Sequence, residues 1–98
     1  MLNEQIEVEV RNIANDISAA ERFLSLAGQE VEQAEILEEA ERIRFEDGAS
    51  DFFVVNLREE AAADARVRRI EAQAGLLQAL TNFYAATVQL NRFQISGF

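Results

Sequence analysis

From Ile6 onward, apolar or small residues return at alternating steps of four and three, through Val10, Ile13, Ile17, Ala20, Leu24, Ala27, Val31 and Ala34. That alternation is a heptad seam, the apolar edge along which one helix lies on another. The seam is expected to drift near Leu37, Ala40 and Ile43, where Glu35, Glu38, Glu39 and Glu41 crowd in, while the helix itself continues through Phe45. Gly48 supplies the residue that can take a left-handed conformation and stop the helix, and Ser50 or Asp51 can cap the next one. A second helix then runs from about Phe52 through the helix-favouring stretch Ala61 to Ala65. Its later half carries two neighbouring seams, Ile70, Ala74, Leu77, Thr81, Tyr84 and Val88 beside Leu76, Leu80, Phe83, Thr87 and Leu90. A helix with two adjacent seams packs against neighbours on both sides, and one hairpin partner satisfies only one of them.

The predicted fold is therefore all-α, a long antiparallel helical hairpin with a helix over about 3–46, a tip at 47–51 and a second helix over about 52–92. Each arm spans roughly 60 Å at about 1.5 Å per residue, long for a globular domain and ordinary for a coiled coil. Gln94 to Phe98 reads as a frayed end. Gly28 and Gly75 lie inside the helices at a cost of about 1 kcal/mol each relative to Ala, and two readings stand open: close approach of a neighbouring backbone, or a tolerated defect.

Composition narrows what such a hairpin can do. A chain of 98 residues builds one domain with a small core, so association into a helical bundle is expected. The 49% hydrophobic content against 28% charged argues for folding, and the net charge of -9 argues against nucleic acid or an anionic membrane surface as partner. Cysteine, histidine and proline are absent, which removes disulfides, ordinary zinc sites and Cys/His or Ser/His nucleophile pairs. The stretch after Met1 has neither a basic segment nor an apolar run, so no signal peptide is expected in it, and no apolar run approaches the roughly 20 residues of a membrane-spanning helix. These features suit either a cytoplasmic protein or a piece of a longer exported one.

Glu35, Glu38, Glu39 and Glu41 lack the histidines of a helical di-metal site and read as a solvated acidic face, with Glu38 and Arg42 as a same-helix ion pair. Glu7 with Arg11 and Asp64 with Arg68 repeat that spacing. Arg66, Arg68 and Arg69 make too small a patch, without stacking aromatics, to bind nucleic acid. Turning the chain at Gly48 brings them level with Gln29 to Glu32, so pairing with the acidic arm is expected. No catalytic residue, metal ligand or cofactor site is assigned, and no enzyme activity is expected. Phe52, Phe53, Val54 and Val55 cover all sides of one helical turn, so they serve either as core and cap packing or as an exposed apolar rim for a partner.

The run from Ala40 to Glu59, with Phe45-x-x-Gly48-x-Ser50 followed by Val55-Asn56-Leu57-Arg58 and the Ala-rich helix to Leu90, resembles the periplasmic hairpin of outer membrane efflux proteins, the TolC-like family. The resemblance covers nearly the whole chain as one helix-turn-helix unit of a larger protein. It implies a trimeric outer-membrane channel whose hairpins assemble into an α-helical tunnel, and an adaptor, the periplasmic membrane fusion protein, that meets the hairpin tips. By position, the adaptor-docking tip would be Asp47, Gly48, Ala49, Ser50 and Asp51, with Phe52 and Phe53 as the apolar rim beside it. The implied location is periplasmic, without membrane insertion by this segment. Many relatives carry an acidic or polar residue six positions after the tip glycine, where this chain has Val54, and Asp51 lies close by. The chain also lacks the barrel strands and the second half of the family's internal repeat. A stand-alone cytoplasmic coiled-coil protein, dimerising into a four-helix bundle, is the alternative.

Overall fold

The computed structural model describes the backbone of residues 2–96 and the side chains of residues 4–92. Two helices, α1 (Leu2–Glu46) and α2 (Phe52–Ser96), pack against each other as an extended hairpin with overall dimensions of 77 × 16 × 14 Å. The helix boundaries near the tip fall where the sequence puts them. α2 runs on to Ser96, past the expected end near residue 92 and through most of the stretch read as frayed; Gly97 and Phe98 lie outside the described residues.

Hydrogen bonding explains why the chain reverses where it does. At the end of α1, Gly48 N–H donates to the Phe45 carbonyl at 3.0 Å and Ala49 N–H to the Arg44 carbonyl at 2.8 Å. This is a Schellman motif, which needs a left-handed residue, and Gly48 supplies it at a φ of 78°. Three residues on, the Asp51 carboxylate accepts the Val54 N–H at 2.9 Å, capping α2. Asp51 rather than Ser50 is the cap.

The contact between the arms follows one heptad seam on each helix. On α2 it runs through Val55, Arg58, Ala62, Ala65, Arg69, Ala72, Leu76, Ala79, Phe83, Ala86 and Leu90, alternating steps of three and four. On α1 it runs through Ile13, Ile17, Ala20, Leu24, Ala27, Val31 and Ala34 and then, contrary to the expected drift, stays in register through Glu38 and Glu41. The reason is local: Glu38 pairs with Arg42 at 3.0 Å, and Glu41 lies between Arg44 and Arg58, so these seam carboxylates have basic neighbours. Leu37, Ala40 and Ile43, expected to take over the seam, remain exposed.

Among the described residues the buried apolar set is Ala27, Val31, Val55, Ala62, Ala65 and Ala79, all small. Small seam residues let two helices lie close, but each buries little apolar area. At about 25 cal/mol per Å² such a seam stabilises the hairpin weakly, so much of the chain's apolar surface is left to act elsewhere.

Candidate docking tip and unpaired helix faces

The five residues assigned to the tip, Asp47 to Asp51, form the reversal itself and stand at one end of the rod. Ser50 is half-buried and the other four are exposed. The Arg44 guanidinium donates to the Ala49 carbonyl at 3.1 Å, so the backbone of the tip is fixed by a side chain as well as by the Schellman bonds. Of the apolar turn that follows, Val55 joins the core and Val54 is half-buried, whereas Phe52 and Phe53 are 65% and 70% exposed. Phe52 leans on Phe45, with ring centroids 6.2 Å apart. The apolar rim is thus an exposed surface at the tip, beside a polar loop.

Two arginines of the patch cross between the arms, as their height in the hairpin requires, while Arg69 is half-buried on the seam itself. Arg68 reaches Glu30 at 3.1 Å, within the expected stretch, and Arg66 reaches Glu35 at 3.2 Å, one turn nearer the tip. Arg68 therefore does not pair with Asp64, and Glu7 forms no ion pair with Arg11. These cross-arm pairs are solvent-exposed, so each is worth at most about 1 kcal/mol, and they fix register more than they stabilise.

The larger feature is what the seam leaves outside. On α2 the first of the two expected seams, extended by Val67, stands wholly exposed, with Ile70, Leu77 and Tyr84 at its centre. The second lies on the contact seam at Leu76, Phe83 and Leu90, with Leu76, Leu90 and the adjacent Leu80 half-buried and Phe83 partly exposed, while Thr87 points outward and donates to its own helix at the Phe83 carbonyl. On α1, Phe23, Leu26, Leu37, Ala40 and Ile43 are exposed. Phe23 and Leu26 border a groove of about 730 Å³ along one face of the hairpin, floored by Ala19, Ala20, Ala72, Gly75 and Ala79. A Cβ at Gly28 or Gly75 would meet nothing within 4 Å, so no close approach inside this chain accounts for either glycine.

These two apolar edges lie on opposite faces. Glu30 and Arg68 each precede a seam residue, Val31 and Arg69, and their ion pair shows that residues one position before the seam share a face in both arms. Glu35 and Arg66 each follow one, Ala34 and Ala65, and mark the other face. Phe23, Leu26, Leu37 and Ala40 fall one position before α1 seam residues, whereas Ile70, Leu77 and Tyr84 fall one position after α2 seam residues. These residues make two non-equivalent apolar edges, diagonally placed, while Ile36 and Ile43, two positions after α1 seam residues, are exposed on the back of α1.

The acidic group read as a solvated face is solvated only in part: Glu35 and Glu39 are exposed, but Glu38 is half-buried and the Glu41 side chain is buried at the seam close to the tip. The count of four and three beyond Ala34 reaches Glu38 and Glu41, but their polarity argues against the seam continuing through them. Among the described residues no group of three or more acidic, His or Cys side chains is placed to hold a metal ion, and no helix is long and apolar enough to cross a membrane. No family model matches the chain, and neither a curated protein nor a solved structure does.

Proposed function

We propose that this hairpin is a wall segment of the periplasmic α-helical tunnel of a trimeric, TolC-like outer-membrane efflux channel, and that its tip docks a periplasmic adaptor protein. In this role the chain performs no chemistry. The arms line the export path of a tripartite pump, and the tip at Asp47 to Asp51, with Phe52 and Phe53 beside it, is the adaptor surface. The observation that carries the reading is the pair of apolar edges on opposite faces. A hairpin built to stand side by side with others needs one edge for each neighbour, and heterologous contacts of that kind close into a ring when the rotation between neighbours closes, as a tunnel wall requires. The turn sequence Phe45-x-x-Gly48-x-Ser50 supports the choice of family.

The four-helix-bundle reading uses the same exposed residues differently. A two-fold dimer pairs each edge with itself or leaves one uncovered, because an isologous contact uses the same patch on both copies. Diagonal placement favours the array.

Gly48→Val tests the tip. At a φ of 78° a β-branched residue is strained whatever the free space around it, so the turn loses roughly 1–2 kcal/mol while the helices persist. The expected result is nearly unchanged helix content by circular dichroism and weakened adaptor capture. Undiminished capture, with the turn still formed, would remove docking from the tip.

A further inference from the structure

The groove on the face marked by Glu30 and Arg68 has the form of a socket. Phe23 and Leu26 stand exposed on its α1 side, and its floor is alanine except at Gly75, one position before the seam residue Leu76. The space over Gly75 is used by nothing in the chain, since a Cβ there would meet no atom within 4 Å. About two helical turns nearer the open end of the hairpin the groove becomes polar, with Asp16 and Asn82 lining it from the two arms. Asp16 is exposed and makes no ion pair among the described residues. An occupant that fits is apolar at the level of Gly75 and donates a hydrogen bond at the level of Asp16.

The α2 edge of the same chain has that order. Leu77 and Tyr84 are exposed on it one heptad apart, the spacing that separates Phe23 from Asp16 on α1. The Phe83 ring meets Tyr84 edge-on, with centroids 5.8 Å apart, and the Tyr84 hydroxyl makes no hydrogen bond among the described residues. A tyrosine that becomes buried needs a partner for that hydroxyl. The cross-arm ion pairs fix the heights. Counting one residue back on α1 for each residue forward on α2, from Glu30 with Arg68 and from Glu35 with Arg66, Phe23 is level with residues 75–78 and Asp16 with residues 82–85. In copies that stand side by side with their tips level, these heights carry over from one copy to the next. A neighbour's Leu77 then meets the groove beside Phe23 and over Gly75, and its Tyr84 meets Asp16. The faces agree as well, because the α2 edge and the groove lie on opposite faces, so each copy can present both at once.

We infer that each hairpin seats the α2 edge of the next copy in this groove, with Leu77 as a knob over Gly75 and the Tyr84 hydroxyl donating to the Asp16 carboxylate. The inference rests on the side-by-side arrangement proposed above for the level alignment of the copies, and it adds the register and the residues that set it. It also gives Gly75 a role: the space its missing side chain leaves belongs to the neighbour. A slip of one heptad toward the open end sets the apolar Leu77 against the Asp16 carboxylate, so the polar pair selects one register.

Tyr84 is the one tyrosine of a chain without tryptophan, so its fluorescence reports the contact without background. The test follows that emission, together with sedimentation equilibrium, on the full chain from dilute to concentrated solution. The expected result is that association shields Tyr84 from acrylamide quenching. Asp16→Ala and Tyr84→Phe each weaken association about tenfold, one charge-assisted hydrogen bond, and the double variant loses no more than either alone. Gly75→Leu melts no lower than the unchanged chain when dilute, because leucine is the better helix former, yet it associates at least about tenfold more weakly although it adds apolar surface. Losses at Asp16 and Tyr84 that add, no loss at Asp16, a Tyr84 equally quenched in the associated chain, or undiminished association of Gly75→Leu would overturn the seating. If the seating fails in one of these ways while a Leu26→Cys chain still crosslinks to an Ala74→Cys chain, the side-by-side wall stands without it. A chain that stays monomeric at every concentration, or pairs only as a two-fold dimer, overturns both.

Discussion

Ala62→Phe disrupts the hairpin, lowering its stability by about 3 kcal/mol, whereas the same change at the adjacent Ala61 is nearly silent. Ala62 is 0% exposed and sits in the seam between Arg58 and Ala65, opposite the part of α1 that holds Glu38. A phenyl ring there has no space between two helices held together by alanine and valine, so the arms must part around it. Their separation also unseats Val55 and Ala65 on the same seam. Against a total of roughly 5–15 kcal/mol for an ordinary small domain, such a loss takes much of the stability. Ala61 is exposed, and a ring there costs only the few tenths by which Phe is a poorer helix former. Thermal melts of both variants by circular dichroism decide it. Equal midpoints would mean that the alanine seam does not hold the arms.

Leu77→Asp gives the complementary result. Leu77 is 66% exposed in the middle of the unused α2 stripe, so the single hairpin loses almost nothing. Association through that stripe would bury the leucine, worth about 1.5–3 kcal/mol, and an aspartate would bring a charge into the contact instead. The expected outcome is self-association weakened by at least about a hundredfold, with helix content unchanged at low concentration. Sedimentation equilibrium measures it. Association equal to that of the unchanged chain would exclude the Ile70, Leu77 and Tyr84 edge from any assembly interface.

The two predictions separate what the sequence made legible from what it hid. Helix lengths, the reversal at Gly48 and the cross-arm role of Arg66 and Arg68 could be read directly, because each follows from spacing along one strand of sequence. The end of the α1 seam could not. Apolarity pointed to Leu37, Ala40 and Ile43, but the helix kept its register and placed Glu38 and Glu41 inward, because Arg42, Arg44 and Arg58 neutralise them there. Pattern reading weighs each residue by its own polarity, while burial depends on the partner that the other arm supplies. Similarly, both α2 seams were visible as periodicities, yet only packing decides that the Leu76 to Leu90 line faces α1 and the Ile70 to Val88 line faces outward. The tip residues were placed by sequence alone. The burial of Glu41 beneath them was not, since it depends on how α2 packs on the seam.

Side-by-side assembly through non-equivalent edges is the claim on which the function rests, and mixed disulfide formation tests it most directly. The ion pairs Glu30 with Arg68 and Glu35 with Arg66 set the level of the two arms, and they put Leu26 of α1 at the height of Ala74 of α2. The chain has no native cysteine, so Leu26→Cys and Ala74→Cys chains can be mixed and oxidised without background. The account predicts that the mixed disulfide forms in preference to either homodisulfide. Preferential Leu26→Cys or Ala74→Cys homodisulfides would instead indicate a two-fold bundle and contradict the tunnel-wall function.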